Sequence, residues 1–254
     1  KAVFHAPRGS IKTMTVIQEL VPFIAVTRPN TDILIAEVNA SRTCEELQKI
    51  QNCFEKNDQI IADFGGSGKL WPASSIRGPQ RWSSSRLDFL NGSSISAYSA
   101  KSKQRGRHPL FGVIDDPEEL DMAISYELRR KYFGWLFQTW SPMFQAGAKW
   151  VWMGTITDEN SCLMIALDGV RSDKPQSDES HVRDNRFDEF QRTIIDLLYT
   201  DDQGNLKSIY PDYLSVDGFD AKVRASGLQA AMAEYRGRPV SSGQFAFHRD
   251  DYRH

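Results

Sequence analysis

Residues 6–13, APRGSIKT, follow a short apolar run and precede Val16, Ile17, Leu20 and Val21, which recur at helical spacing. A loop between a strand and a helix offers backbone N–H groups to an anion, and a lysine and a hydroxyl at its end can reach phosphates and a divalent cation. Lys12 and Thr13 hold those two positions of a Walker A loop, and Pro7, Arg8, Gly9, Ser10 and Ile11 complete the cradle. The glycine pattern is incomplete. Ala6 and Ile11 stand where glycine is usual, and a β-branched residue is awkward wherever φ must be positive. A second stretch, FGVIDD at residues 111–116, is followed by Pro117, Glu118 and Glu119. A buried strand ending in acids is the Walker B layout, in which one carboxylate serves a magnesium shell and a neighbour orients the attacking water. Asp115 is the expected metal acid. Asp116 is the first candidate for the water, with Glu118 as the fallback, although acids at this place are also favoured simply by the positive end of a following helix. GGSGK at residues 65–69 is richer in glycine, yet Leu70 replaces the hydroxyl and Trp71-Pro72 blocks a helix, so it reads as a loop.

The elements that must position these residues alternate short apolar runs with longer helical segments, the pattern of an α/β layered fold with a mainly parallel sheet between helices. Residues 2–5, 32–38, 110–115 and 149–156 are the buried-strand candidates. Thr43 and Glu46 stand at capping-box spacing before a helix whose inner face is Leu47, Ile50 and Phe54. Residues 87–98 read as a hairpin about Asn91-Gly92, and 117–144 as one long helix opened by proline. Residues 171–188 carry no apolar period and read as a loop or lid segment. Beyond them a helix from residue 187, a turn at 201–204 and a helical stretch at 219–235 form a small C-terminal subdomain. The expected division is a P-loop core at 1–170 and a lid subdomain at 171–254.

Composition narrows the setting. Thirty-one basic and 33 acidic side chains leave a net charge of -2, which announces no nucleic-acid partner, but residues 69–108 carry Lys69, Arg77, Arg81, Arg86, Lys101, Lys103, Arg105 and Arg107 against the single acid Asp88. That stretch is suited to phosphates. Cys44, Cys53 and Cys162 form no disulfide or zinc pattern, and no apolar run approaches the roughly 20 residues that cross a bilayer. The chain reads as a soluble, intracellular protein with no membrane partner. It enters an apolar strand immediately after Lys1, so residues upstream of it are expected in the native protein.

Taken together the segments resemble the terminase large subunit family of tailed bacteriophages, over nearly the whole chain. APRGSIKT is similar to that family's arginine-containing, glycine-poor Walker A variant. DILIAEVNASRTCEELQKIQNCFEKNDQIIADFGG looks like its second strand and helix, and FLNGSSISAYSAKSKQRGRHPLFGVIDDPEE like its hairpin, Arg-Gly segment and Walker B strand in order. KWVWMGT resembles the strand that ends in the coupling motif, and IYPDYLSVDGFDAKVRASGLQAAMAEYRGRP the lid that leads to a nuclease domain absent from this chain. The resemblance implies an ASCE-type P-loop ATPase that uses ATP and Mg2+ to translocate double-stranded DNA into a procapsid in the host cytoplasm, without nuclease activity in this segment. By the same resemblance Lys12 and Thr13 bind phosphate and magnesium, Asp115 the metal, Asp116 or Glu118 the water, and Thr155 couples hydrolysis to the DNA grip. Arg8 is a candidate cis arginine, and Arg105 or Arg107 a candidate trans finger. The implied partners are DNA, the portal protein, the small terminase subunit and further copies in a ring, with a monomer possible in isolation.

Two other readings remain open from the residues. A helicase-like DNA translocase shares the core but requires a second ATPase-like lobe, and the 98 residues after Ile156 lack that pattern. A degenerate P-loop module that binds DNA or a partner without hydrolysis is kept open by Ile11 and by the Asp115-Asp116 pair.

Overall fold

The computed structural model describes residues 1–73, 81–100, 102, 106–119, 121–122, 125–158, 160–168 and 185–239. In chain order the elements are β1 (Ala2–His5), a π-type helical segment (Met14–Leu20) running into α1 (Val21–Thr27), β2 (Asp32–Glu37), α2 (Ala40–Lys56) and α3 (Asp58–Phe64). There follow β3 (Trp82–Ser83), β4 (Arg86–Asp88), β5 (Ser94–Ser99), β6 (Phe111–Asp115) and α4 (Tyr126–Trp135), which continues through a π-type segment (Leu136–Trp140) into α5 (Ser141–Met143). The remainder is β7 (Lys149–Gly154), α6 (Cys162–Asp168), a 3-10 turn (Asn185–Phe187), β8 (Gln191–Ile194), β9 (Leu198–Thr200), β10 (Leu206–Ser208), α7 (Val216–Ser226) and α8 (Leu228–Arg236). The sheet order is β3-β4-β5-β2-β6-β7-β1-β8, with β9 and β10 a separate pair. The expected α/β class is what forms. Among the described residues no helix is long and apolar enough to cross a membrane.

By contact the chain divides into two compact units, the described parts of residues 1–2, 11–119 and 127–153, and those of 3–10, 120–126 and 154–254. The boundary expected at residue 170 and residues 171–184 of the expected 171–188 loop lie outside the described residues.

In the first unit β2 pairs parallel with β5 on one side and with β6 on the other, and β6 pairs parallel with β7. Strands in that setting are covered on both faces and must be apolar almost throughout. Ile33, Leu34, Ile35, Val113 and Ile114 accordingly have no exposed surface. The hairpin forms as expected, Arg86 opposite Ser96 and Asp88 opposite Ser94, with Gly92 taking φ 85° in the turn. In α2 the predicted face of Leu47, Ile50 and Phe54 is buried. Its cap differs from expectation. Asn39 is still extended and its side chain accepts from Arg42 N, while Thr43 lies one turn inside and donates its hydroxyl to Tyr98 O at 2.6 Å.

The long helix also begins later than Pro117. The chain leaves β6 through Asp116 at φ 37°, residues 117–119 are irregular, and the aromatic anchors fall in the later turns. Tyr132 meets Trp152 at 5.4 Å between ring centroids, and Trp140 meets Trp150 at 6.5 Å. A Cβ on Gly112 would overlap the Phe144 ring, so β6 needs glycine where this aromatic layer closes over it. The GGSGK segment closes on itself, Lys69 N and Leu70 N donating to Gly66 O, and Trp71 behind it stacks on Trp82 at 5.3 Å.

In the second unit the predicted helix after Phe187 is instead strand, β8 and then β9. The β-branched run Thr193-Ile194-Ile195 favours the extended chain over the helical one. The turn at 201–204 is present and joins β9 to β10, with the Asp201 carboxylate accepting from Gln203 N and Asn205 N. The stretch expected as one helix is two, broken at Gly227 with φ 85°. Leu197, Leu198, Leu214, Phe219, Ala231 and Tyr235 give this region a small core of its own.

Candidate functional site

The first unit carries the end of the loop and both strand-end acids. Thr13 begins the helix, and its hydroxyl donates to Asp115 Oδ2 at 2.5 Å. Lys12 Nζ lies 2.9 Å from Asp116 Oδ2, its side chain only 9% exposed. The four residues read from two distant motifs are therefore in contact as two pairs. Asp116 also donates its backbone N–H to Met153 O, which ties the acid-bearing turn to the neighbouring strand.

Asp115 is 3% exposed, and its Oδ1 has no hydrogen-bond partner among the described residues. Burial pushes its carboxyl above the usual carboxylate range and the Asp116 charge adds to this, while the Thr13 hydroxyl and Lys12 pull the other way. One further acid belongs here that the sequence reading passed over. Glu37 ends β2, and the register that sets Ala36 opposite Ile114 places Glu37 at the same strand end as Asp115. It is 5% exposed, its Oε1 has no partner among the described residues, and Arg42 approaches its Oε2 only to 3.8 Å. Burial first, then the charges of Asp115 and Glu46, push its carboxyl up to about 8. The available signal was an ionisable residue closing an otherwise apolar strand.

Thr13 and Asp115 fit a magnesium ion by donor chemistry, since both offer hard oxygens and one buried carboxylate oxygen is left unsatisfied. Among the described residues no cluster of three or more His, Cys, Asp or Glu side chains could hold a metal.

Ile11 adopts φ 54° and is 58% exposed. The position where glycine was missed does take the left-handed conformation, in a residue that disfavours it.

The second unit carries the start of the loop. Ala6 N donates to Gly154 O at 3.1 Å, Thr155 Oγ1 to Ala6 O at 3.3 Å, and Ile156 N to His5 Nδ1 at 3.1 Å. Thr155 thus touches the first residue of the loop. Ser10 N turns back onto Pro7 O, and Gly9 takes φ 78°. The Tyr213 hydroxyl donates to the Arg8 carbonyl, and a Cβ on Gly9 would overlap that hydroxyl. The Arg8 side chain is 66% exposed, and its Nη2 lies 3.5 Å from Glu234 Oε1. Tyr213 and Glu234 had no signal in the sequence, being more than two hundred positions away from Arg8.

The arginines separate. Arg107 Nη1 donates to Ser96 Oγ at 2.8 Å and to Asp32 Oδ1 at 3.3 Å, with the guanidinium 5.8 Å from the Tyr98 ring centre. Arg86 is held by Asp88 at 2.7 Å. Arg105 lies outside the described residues, as do Arg77, Lys101 and Lys103. Glu118 is half-buried just beyond the Asp116 turn.

A strand-to-helix loop ending in Lys-Thr, set against acids at the end of a parallel strand, defines a phosphate-loop type of α/β domain. Solved structures of the same fold include the ATPase domain of the large terminase of Thermus phage P74-26, at TM-score 0.57 and 12% identity over 94% of this chain and 88% of that one. An arginine-to-alanine variant of that domain matches at TM-score 0.56 with the same identity and coverage. The large terminase of bacteriophage HK97 overlaps 66% of this chain and 32% of its own length at TM-score 0.41 and 12% identity. No family model and no curated protein matches the sequence.

Proposed function

We propose that this chain is the ATP-hydrolysing motor domain of a phage large terminase, using magnesium to drive double-stranded DNA into a procapsid. The observation that carries the reading is the pairing of Lys12 with Asp116 and of Thr13 with Asp115, two loop residues against two strand-end acids. Magnesium, when bound, would neutralise phosphate charge beside Thr13 and Asp115. Lys12 exchanges Asp116 for the phosphates, which releases the Asp116 carboxylate. Asp116 or Glu118 then serves the water in the simplest form of this reading.

Arg8, exposed on the loop, is the candidate cis arginine, and of the two trans candidates Arg107 is already committed to Asp32 and Ser96. Arg105 remains the candidate for presentation to a neighbouring copy. Thr155, bonded to the Ala6 carbonyl, would couple the state of the loop to the C-terminal subdomain, which we take as the lid. Duplex DNA, the portal protein, the small subunit and a ring of copies follow as partners, in the host cytoplasm.

The test is phosphate release from ATP with Mg2+ and duplex DNA, comparing the wild-type chain with Lys12→Ala. Loss of turnover by about 10² or more in the variant is expected, the scale on which a lost phosphate-stabilising donor acts. Equal turnover in both would sink the reading. The strained Ile11 and the Asp116 that neutralises Lys12 favour one second reading, a module that binds nucleotide without hydrolysis. Binding of a fluorescent ATP analogue with no phosphate release identifies it.

A further inference from the structure

Among the described residues, the carboxylates at the Walker B end differ in how their oxygens are used. Asp116 is engaged by Lys12 at 2.9 Å, on a backbone turned to φ 37°. Asp115 gives one oxygen to Thr13. Glu37 stands on the adjacent strand, nine-tenths buried, with Oε1 unpartnered and only an exposed arginine at 3.8 Å from Oε2. Asp115 Oδ1 is the other unpartnered carboxylate oxygen of this strand end.

A buried carboxylate without donors is costly, and an apolar residue of similar volume would complete β2 at lower free energy. Two such oxygens on neighbouring strands call for a shared donor, and a water molecule supplies two O–H groups. Glutamate also reaches one methylene further than aspartate, which suits an acid acting from the next strand on a nucleophile beyond the metal acid.

We propose that Glu37 binds and deprotonates the water that attacks the γ-phosphorus, so that the catalytic base comes from β2. This rests on the ATPase reading above. In the step, the water oxygen forms a bond to phosphorus while the bond from phosphorus to the β,γ-bridging oxygen breaks. One water proton passes to the Glu37 carboxylate and is returned to the departing inorganic phosphate, and ADP leaves. Asp116 then has a different task, holding Lys12 in place until phosphate arrives.

The test compares Glu37→Gln, Glu37→Asp, Asp116→Asn and Glu118→Gln in the full chain with ATP, Mg2+ and duplex DNA. Three readouts are taken: single-turnover hydrolysis, affinity for a fluorescent ATP analogue, and Tm without nucleotide. For Glu37→Gln the expectation is hydrolysis down by about 10² or more, the scale of a general base, with affinity unchanged. Its Tm at neutral pH is expected to rise, because the substitution removes a carboxyl that must take up a proton to be buried. Glu37→Asp should fall between wild type and Glu37→Gln. Glu37→Gln hydrolysing as wild type while Asp116→Asn or Glu118→Gln fails overturns the proposal, as does a fall in Tm accompanied by lost nucleotide affinity. A wild-type chain that binds no nucleotide, like Lys12→Ala, overturns the ATPase reading itself and is distinguished by that binding measurement.

Discussion

Replacing Ile11 by glycine is expected to stabilise the protein, against the usual direction for a large-to-small change. Ile11 is held at φ 54° with 58% of its surface exposed, so its side chain contributes little burial while its backbone sits where a β-branched residue is strained. Such strain costs about 1–3 kcal/mol. Glycine removes it and gives back about 0.5–1 kcal/mol in unfolded-state freedom. The net gain is then about 1 kcal/mol, and for a chain of this size that raises Tm by about 2–4 °C. Differential scanning calorimetry reads the shift directly, and the six tryptophans provide an independent fluorescence transition. Ile11→Ala is the internal control. It relieves β-branching but keeps the Cβ that opposes positive φ, so its Tm should lie between those of wild type and Ile11→Gly. A Tm for Ile11→Gly equal to or below that of the wild type would refute the strain argument, and with it the explanation of why glycine is usual at this place.

Other substitutions probe the surroundings of the site. Gly112→Ala pushes a methyl group into the Phe144 ring and should destabilise by about 1–3 kcal/mol, seen as a lower urea midpoint. Tyr213→Phe removes the donor to the Arg8 carbonyl and should cost about 0.5–1.5 kcal/mol, with slower nucleotide binding if the loop depends on that tether. The pH dependence follows from Glu37. Its folded carboxyl is raised from 4.5 to about 8, so the folded state holds a proton that the unfolded chain has already lost across that range. Stability in metal-free buffer should therefore be greatest below the lower value, decline as pH rises through the window, and level off above it. Tm measured across that range should slope downward in the wild type and flatten in Glu37→Gln; an unchanged slope in the variant would remove Glu37 as the cause.

Period and punctuation revealed much of the fold. The apolar runs of β2 and β6 read as buried strands because parallel strands between helices leave no polar face, and Leu47, Ile50 and Phe54 read as the inner face of α2 for the same reason. Local pattern failed where two outcomes share one pattern. Thr43 with Glu46 has capping-box spacing, but Asn39 is still extended and takes the cap one turn earlier. The stretch from residue 187 reads as helix, yet β-branching and pairing make 191–194 and 198–200 strand.

For the site, sequence alone determined the chemistry on offer: Lys12 and Thr13 at a strand-to-helix loop, and Asp115 and Asp116 at the end of an apolar strand. These are local arrangements, set by residues a few positions apart, and local sequence is enough to build them. Tertiary structure alone decided how they are shared out. Lys12 went to Asp116 and Thr13 to Asp115, Arg107 was spent on Asp32, Tyr213 came to the Arg8 carbonyl, and Glu37 arrived beside Asp115. Those neighbours are set by strand register and packing between distant segments, and burial there determines which carboxylate oxygens lose their water without gaining another donor.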